Sequence, residues 1–244
     1  MDDAPAYELR RVSRTYTVGG AQVRAVREVD LVVDRGDFLA VVGPSGSGKT
    51  TLLQLLGGLD RASEGAVLFE GRDLGTMRDA ELTRLRRTAL GFVFQQFNLV
   101  ATLTAAQNVE AALAPTHLAR RHRRERVQEL LERVGLDRRL HHLPSQLSGG
   151  EQQRVAIARS LANHPRVILA DEPTGNLDSD TGGEIVELLR SLARDDAQTV
   201  VLITHDATVA GHAHRVVRMH DGRLEAVEPV EEPPGDAAAL PNAS

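Results

Sequence analysis

One stretch restricts this chain more than any other: Gly43-Pro44-Ser45-Gly46-Ser47-Gly48-Lys49-Thr50. A short apolar run, Phe38-Leu39-Ala40-Val41-Val42, precedes it, and a helix-like run, Thr51-Leu52-Leu53-Gln54-Leu55-Leu56, follows. Strand, glycine loop and helix in that order form the context a phosphate-binding P-loop requires. Glycines let successive backbone N–H groups point into one concavity. The helix behind them adds the positive end of its dipole and its unpaired N–H groups. Lys49 is placed to reach the β- and γ-phosphates of a nucleotide, and the Thr50 hydroxyl to coordinate Mg²⁺.

Further strands are predicted around residues 7–16 (as an edge strand), 29–33, 66–69, 90–94, 167–170 and 199–203. Leu82 and Leu85 mark a surface helix near 76–89. Ile185, Leu188, Leu189 and Leu192 mark an amphipathic helix. His220-Asp221-Gly222, between two apolar runs, signals a hairpin. From about 97 to 163 the pattern is helical. Strands alternating with helices predict an α/β fold with a mainly parallel sheet and an inserted α-helical subdomain. The arginines at 120, 121, 123, 124 and 126 read first as a solvated helix face, with contact to a partner or lipid headgroups as the alternative. Residues 7–227 form the expected domain. Residues 228–244, rich in Glu, Pro and Ala, read as a disordered tail.

Ligands of open α/β sheets bind beyond the carboxyl ends of the strands. Lys49, Gln95, Asp171 with Glu172, and His205 each follow a predicted strand at that end. Asp171 is placed to hold Mg²⁺ with Thr50. Glu172 is placed to polarise the water that attacks the γ-phosphate, and His205 to contact that phosphate. Spacing alone leaves Gln95 undecided between a structural and a functional role. A second unusual stretch is Leu147-Ser148-Gly149-Gly150-Glu151. Ser148 and Glu151 fit a capping box, so a helix starts here. Its two glycines leave the first-turn N–H groups bare, which makes a second phosphate site. One nucleotide is already served by the 43–50 loop, so a second reader implies a nucleotide shared between two copies of the chain.

Composition sets limits. A net charge of −5 argues against general nucleic-acid binding, and the absence of cysteine excludes disulfides and thiol chemistry. The N-terminus lacks the apolar core of a signal peptide, and no apolar run is long enough to span a bilayer, so any membrane-spanning segments are expected in another chain.

Taken together these motifs resemble the ATP-binding-cassette ATPases over about residues 7–227. The 43–50 loop looks like Walker A, 147–151 like the family signature, and 167–172 like Walker B with its catalytic glutamate. Gln95 matches the Q-loop, Gly175-Asn176-Leu177-Asp178 the D-loop and His205 the H-loop. Tyr16 matches the aromatic residue that stacks on adenine. The signature most often ends in Gln where this chain has Glu151. The resemblance implies a P-loop NTPase core with an N-terminal antiparallel β part. It also implies ATP and Mg²⁺ as cofactors, with Glu172, His205 and Lys49 in catalysis. Thr50, Gln95 and Asp171 would hold the metal. Nucleotide contacts fall to Tyr16, Gly43, Pro44, Ser45, Gly46, Ser47, Gly48, Lys49, Thr50, Thr51, Gln95 and Asp171, and to Ser148, Gly149, Gly150, Glu151 and Asp178. The runs 91–99, 56–60 and 170–179 are similar to the macrolide-export and lipoprotein-release type of cassette. That implies a homodimer enclosing ATP, paired with a separate membrane permease at the cytoplasmic face of the cell membrane. The alternative is a regulatory or mechanotransmitting module that moves no substrate. Soluble cassettes of DNA repair or translation are disfavoured, because the chain has no room for their long inserts or tandem cassettes.

Overall fold

The structure, a computed structural model, describes residues 4–114 and 118–229. Two sheets organise it. The first is antiparallel, in the order β2-β1-β4-β5, with β1 Tyr7–Val18, β2 Ala21–Val33, β4 Glu64–Phe69 and β5 Arg72–Asp73. The second runs β10-β9-β3-β8-β7-β6. Its strands are β3 Phe38–Val42, β6 Leu90–Phe94, β7 Val167–Asp171, β8 Thr199–Thr204, β9 Arg215–His220 and β10 Arg223–Pro229. β6, β7, β8, β3 and β9 are parallel; only β10 turns back.

Period-two alternation divides the core. Leu39 and Val41 of β3 point to one side of the sheet, Phe38 and Ala40 to the other. The first side packs on helix α1 (Lys49–Leu56) and on the inner face of the antiparallel sheet. The second packs on α3 (Ala105–Leu113), α4 (Arg120–Arg133), α5 (Gly149–Ser160) and α6 (Ser179–Asp196). The helices of the 97–163 insert therefore share one continuous apolar cluster with the parallel sheet. The arginines of α4 divide: Arg121 pairs with Glu125 at 2.8 Å on the exposed surface, as the solvated-face reading expects, whereas Arg126, mostly covered, bonds Glu129 at 2.9 Å and the Leu161 carbonyl at 3.1 Å, and Arg123 faces Glu110 of α3. Helix α2 (Asp79–Ala89) covers the first side, and the four-residue α7 (Ala207–Ala210) lies against β3 and β8.

The antiparallel sheet corrects one expectation. β1 is not an edge strand: it lies between β2 and β4. β2 also extends eight residues further back than its apolar stretch, because Gln22, Arg24 and Arg27 hide it in a polar pattern. Two residues with positive φ, Arg11 (48°) and Glu28 (48°), break the strand register. Side chains repair the ladder there. Arg11 N–H donates to Asp30 Oδ1 at 2.9 Å, and Glu28 N–H to Ser13 Oγ at 3.0 Å. β10 runs to Pro229, and the rest of the expected tail lies outside the described residues.

One buried bond ties the first sheet to the P-loop helix. Tyr7, fully buried in β1, donates its hydroxyl to the Leu56 carbonyl at the end of α1, at 2.9 Å. Burial pushes the phenol far above its ordinary pKa, so it remains a donor at every working pH. Tyr7→Phe would orphan that carbonyl at a cost of about 1–3 kcal/mol. For a chain of this size each kcal/mol lowers the melting temperature by roughly 2–4 °C. A thermal melt unchanged within error would contradict this link.

Candidate functional site

The 43–50 loop joins β3 to α1 as a tight wrap. A Cβ on Gly43 would run into the Met219 carbonyl of β9, and one on Gly48 into the Ala25 carbonyl of β2. Gly48 also sits at φ 105° as the N-cap residue of α1. Close approach on two sides, rather than flexibility, requires these glycines. Gly222 N–H, in the β9–β10 turn, donates to the Ser47 carbonyl at 2.9 Å and braces the loop from behind. Lys49 is buried and curls over the loop, with Nζ donating to the Gly43 carbonyl at 2.7 Å and the Pro44 carbonyl at 3.0 Å. The buried Ser47 hydroxyl has no partner. Helix α1 has no acidic residue in its first turn and no side-chain cap. A buried cation, an unpaired hydroxyl and an open helix start suit an oxyanion chain such as the phosphates of a nucleotide.

The strand register delivers the other groups. Phe94, Asp171 and Ile203 pair in one row, and Val42 pairs with Thr204. Gln95, Asp171 with Glu172, and His205 therefore leave the sheet together at the loop's edge. Thr50 Oγ1 donates to Asp171 Oδ1 at 3.4 Å. Burial, and then the charge of neighbouring Glu172, raise the Asp171 pKa; Thr50 and Lys49 offset this in part. A half-buried carboxylate beside a hydroxyl is the hard-oxygen donor set that Mg²⁺ takes together with phosphate oxygens. Glu172 is held at φ 47°, an unfavourable backbone for its type, fixed by its N–H on the Ile203 carbonyl (2.9 Å) and its carbonyl on Gly175 N–H (3.0 Å). Its carboxylate Oε2 shares a hydrogen bond with His205 Nδ1 at 2.8 Å.

Gln95 Nε2 donates to Asn176 Oδ1 at 3.3 Å, and Asn176 Nδ2 returns a bond to the Gln95 carbonyl at 2.9 Å. Asn176 is thus the partner of Gln95, which the sequence reading did not supply. Tyr16 lies half-buried in β1, its hydroxyl on Asp60 at 2.7 Å and the Arg14 guanidinium 4.5 Å from its ring centroid.

The second helix start has the predicted capping box. Glu151 N–H donates to Ser148 Oγ at 3.2 Å, and Ser148 N–H to Glu151 Oε2 at 2.8 Å. Glu151 also accepts from Arg139 at 2.8 Å, and these two bonds hold it below the ordinary carboxylate range. The N–H groups of Gly149 and Gly150 have no carbonyl a turn earlier in the helix to accept them. Gly150 has a further reason to be glycine, since a Cβ there would strike Thr181 of α6. Asp178 caps α6 through Thr181 N–H at 3.0 Å, which lowers its pKa. In the chain as it stands, Ser148, Glu151 and Asp178 are occupied in holding helix starts.

A P-loop with its lysine buried, an Asp-Glu pair at the end of the next strand but one and a histidine just past the strand between them define a nucleotide-hydrolase type of site. The family described as ABC transporter matches residues 26–175. An uncharacterized ABC transporter ATP-binding protein of Thermotoga maritima is 49% identical over 221 residues, covering 91% of this chain and 94% of that protein. The macrolide export ATP-binding/permease protein MacB of Wolinella succinogenes is 49% identical over 220 residues. This chain spans only 34% of that protein's length. Among solved structures, a dimer of the ATP-binding cassette MJ0796 of Methanocaldococcus jannaschii, in a post-hydrolysis state with ADP and Pi, superposes with a TM-score of 0.85 at 44% identity. It covers 92% of this chain and 99% of that one. The chain belongs to the ABC transporter family.

Asp171 yields a test that needs no nucleotide. Its raised pKa means the fold favours the protonated acid, so its contribution is fully present below the unfolded value and is lost as pH rises through the folded one. At neutral pH the ionised carboxylate costs the fold stability. Asp171→Asn is therefore expected to melt higher than the parent at neutral pH without nucleotide or divalent cation, and the gain shrinks on acidification. An equal or lower melting temperature contradicts this account of the pair with Glu172.

Proposed function

We propose that the chain is the ATP-binding and ATP-hydrolysing subunit of a membrane transporter, driving a separate permease by ATP-dependent closure of a dimer. The observation that carries this reading is the convergence of Lys49, Thr50, Asp171, Glu172 and His205 on one sheet edge, in a chain with a second glycine-rich helix start at Ser148. The dimer of the related cassette with ADP and Pi supports the two-chain arrangement, and the MacB relatives combine such a cassette with a permease. No helix among the described residues is long and apolar enough to cross a membrane. A peripheral position at the cytoplasmic face, through the permease, follows from pairing with such a partner.

ATP binds with its adenine against Tyr16 and its phosphates in the 43–50 loop. Lys49 exchanges the Gly43 and Pro44 carbonyls for the β- and γ-phosphates, while the loop N–H groups and the start of α1 take the remaining oxygens. Thr50, Asp171 and Gln95 would hold Mg²⁺, which would supply positive charge against those oxygens. Gln95 reaches this position by giving up Asn176. The N–H groups of Gly149 and Gly150 in the partner copy, with its Ser148, close over the γ-phosphate. Glu172 takes a proton from a water whose oxygen bonds to the γ-phosphorus while the bond from that phosphorus to the bridging β-phosphate oxygen breaks, leaving ADP and phosphate. His205 keeps its Nδ1 on the Glu172 carboxylate, which orients it, and turns its other ring nitrogen to the γ-phosphate. Phosphate release then reopens the dimer.

The test uses Glu172→Gln, which keeps shape but is a far weaker base. Hydrolysis is expected to fall roughly 10²–10⁴-fold, while ATP binding persists. Size-exclusion with light scattering should show a monomer without nucleotide and a dimer with ATP. Adding Ser148→Arg places a bulky cation in the partner's γ-phosphate niche and should abolish the dimer while leaving ATP binding to the single chain. A double variant that still dimerises with ATP overturns the shared site.

A further inference from the structure

Gln153 lies one turn inside α5, is fully buried, and belongs to neither the phosphate contacts nor the apolar core. Its Nε2 donates to the Pro173 carbonyl at 2.7 Å and reaches the Phe94 carbonyl at 3.4 Å. Its Oε1 is buried with no partner. A buried unpaired amide oxygen is costly, so packing alone does not explain a glutamine here. The two carbonyls it binds have a common property. Pro173 directly follows Glu172, and Phe94 directly precedes Gln95. One side chain on the helix that begins at Ser148 therefore holds both loops that carry the groups around the γ-phosphate. The contact surface around it is continuous. A Cβ on Gly150 would meet Thr181, one on Gly149 would come within 3.1 Å of Leu177, and Asn176 bonds Gln95. Helix α5, the 173–178 segment and Gln95 thus form one packed unit.

We infer that Gln153 is a positioning residue that couples the Ser148 helix start to Glu172 of the same chain. The inference rests on the shared-site reading, because its consequence exists only there. In a head-to-tail dimer the Ser148 helix of one copy closes over the ATP held by the other. The Glu172 of that same copy serves its own ATP. A shift of α5 when it engages the opposite γ-phosphate is carried by the Gln153 amide to the Pro173 carbonyl, and so to the backbone of Glu172, which is already held at positive φ. Occupancy of one site thereby sets the geometry of hydrolysis at the other, and the two sites hydrolyse cooperatively. The Phe94 carbonyl extends the same link to Gln95.

The test replaces the amide with an apolar side chain of similar length, Gln153→Met. ATP affinity of the single chain and ATP-driven dimerisation in the Glu172→Gln background are expected to match the parent. The turnover number is expected to fall roughly 10–100-fold, the scale of a small misplacement at the reacting centre, and the Hill coefficient for ATP to drop toward unity. A merely structural role would lower the melting point without touching the Hill coefficient. Gln153→Glu provides a second reading if methionine destabilises the fold. A carboxyl donates to the Pro173 carbonyl only when protonated, so its cooperativity should return as pH is lowered, whereas that of Gln153→Met should not. Parental turnover and Hill coefficient in both variants overturn the inference. Loss of the ATP-driven dimer in Gln153→Met/Glu172→Gln also overturns it, since Gln153 would then shape the Ser148 surface itself. If Glu172→Gln alone stays monomeric with ATP, the shared-site reading fails and the coupling falls with it.

Discussion

The parallel backbone ladder from β6 through β7 and β8 to β3 is the constraint on which everything else depends. Its in-register pairing puts Phe94, Asp171 and Ile203 in one row and sets Val42 beside Thr204. Residues far apart in sequence leave the sheet at a single edge, and their polar ends have only one place to go. Alternating apolar residues keep that register, since a slip by one would turn Leu39 and Val41 out of one core and into the other. The antiparallel sheet and α1 on one side, and α3 to α6 on the other, pack against both faces of the ladder.

At that edge the chain satisfies its own chemistry. Lys49 is held by the Gly43 and Pro44 carbonyls, Glu172 by His205, Gln95 by Asn176, and Thr50 is turned to Asp171. In the proposed mechanism, phosphate oxygens take over the place that the Gly43 and Pro44 carbonyls hold on Lys49. The buried Ser47 hydroxyl is left without a partner at this edge, and burial raises the pKa of Asp171 despite its bond from Thr50. Binding then exchanges partners within a preformed frame, which costs little ordering entropy.

Much of this was legible in the sequence, for physical reasons. Strands buried on both faces read as unbroken apolar runs, so β3, β6, β7 and β8 and the polar residues after them stood out. The loop 43–50 and the capping box at Ser148 follow local rules of backbone geometry. What stayed hidden depends on distant contacts. β2 was truncated and β1 misplaced at an edge because half of the hairpin is exposed and polar, and its bulges at Arg11 and Glu28 leave no pattern. The need for glycine at 150 comes from Thr181 in another helix. Asn176 and Gln153 look like ordinary surface polar residues until the fold sets them against Gln95, Phe94 and Pro173. A glutamine one position past Gln152 on a polar helix start gives no sign of complete burial.

The central claim is that each ATP site is built from two chains, and complementation between two defective chains tests it most directly. A Lys49→Ala chain lacks its own phosphate cation but keeps its Ser148 helix start. A Ser148→Arg chain keeps its phosphate loop but blocks its partner's niche. Each alone should be inactive. Mixed, they form heterodimers in which one site joins the intact loop of the second chain to the intact helix start of the first. The account predicts that the mixture regains ATP hydrolysis that neither chain shows alone, without cooperativity because a single site works, and at a rate roughly 10–100-fold below a parental site, since α5 of the Ser148→Arg chain engages no opposite phosphate to set its own Glu172. A mixture as inactive as its components would mean that each chain hydrolyses ATP within its own boundaries, and would contradict the account.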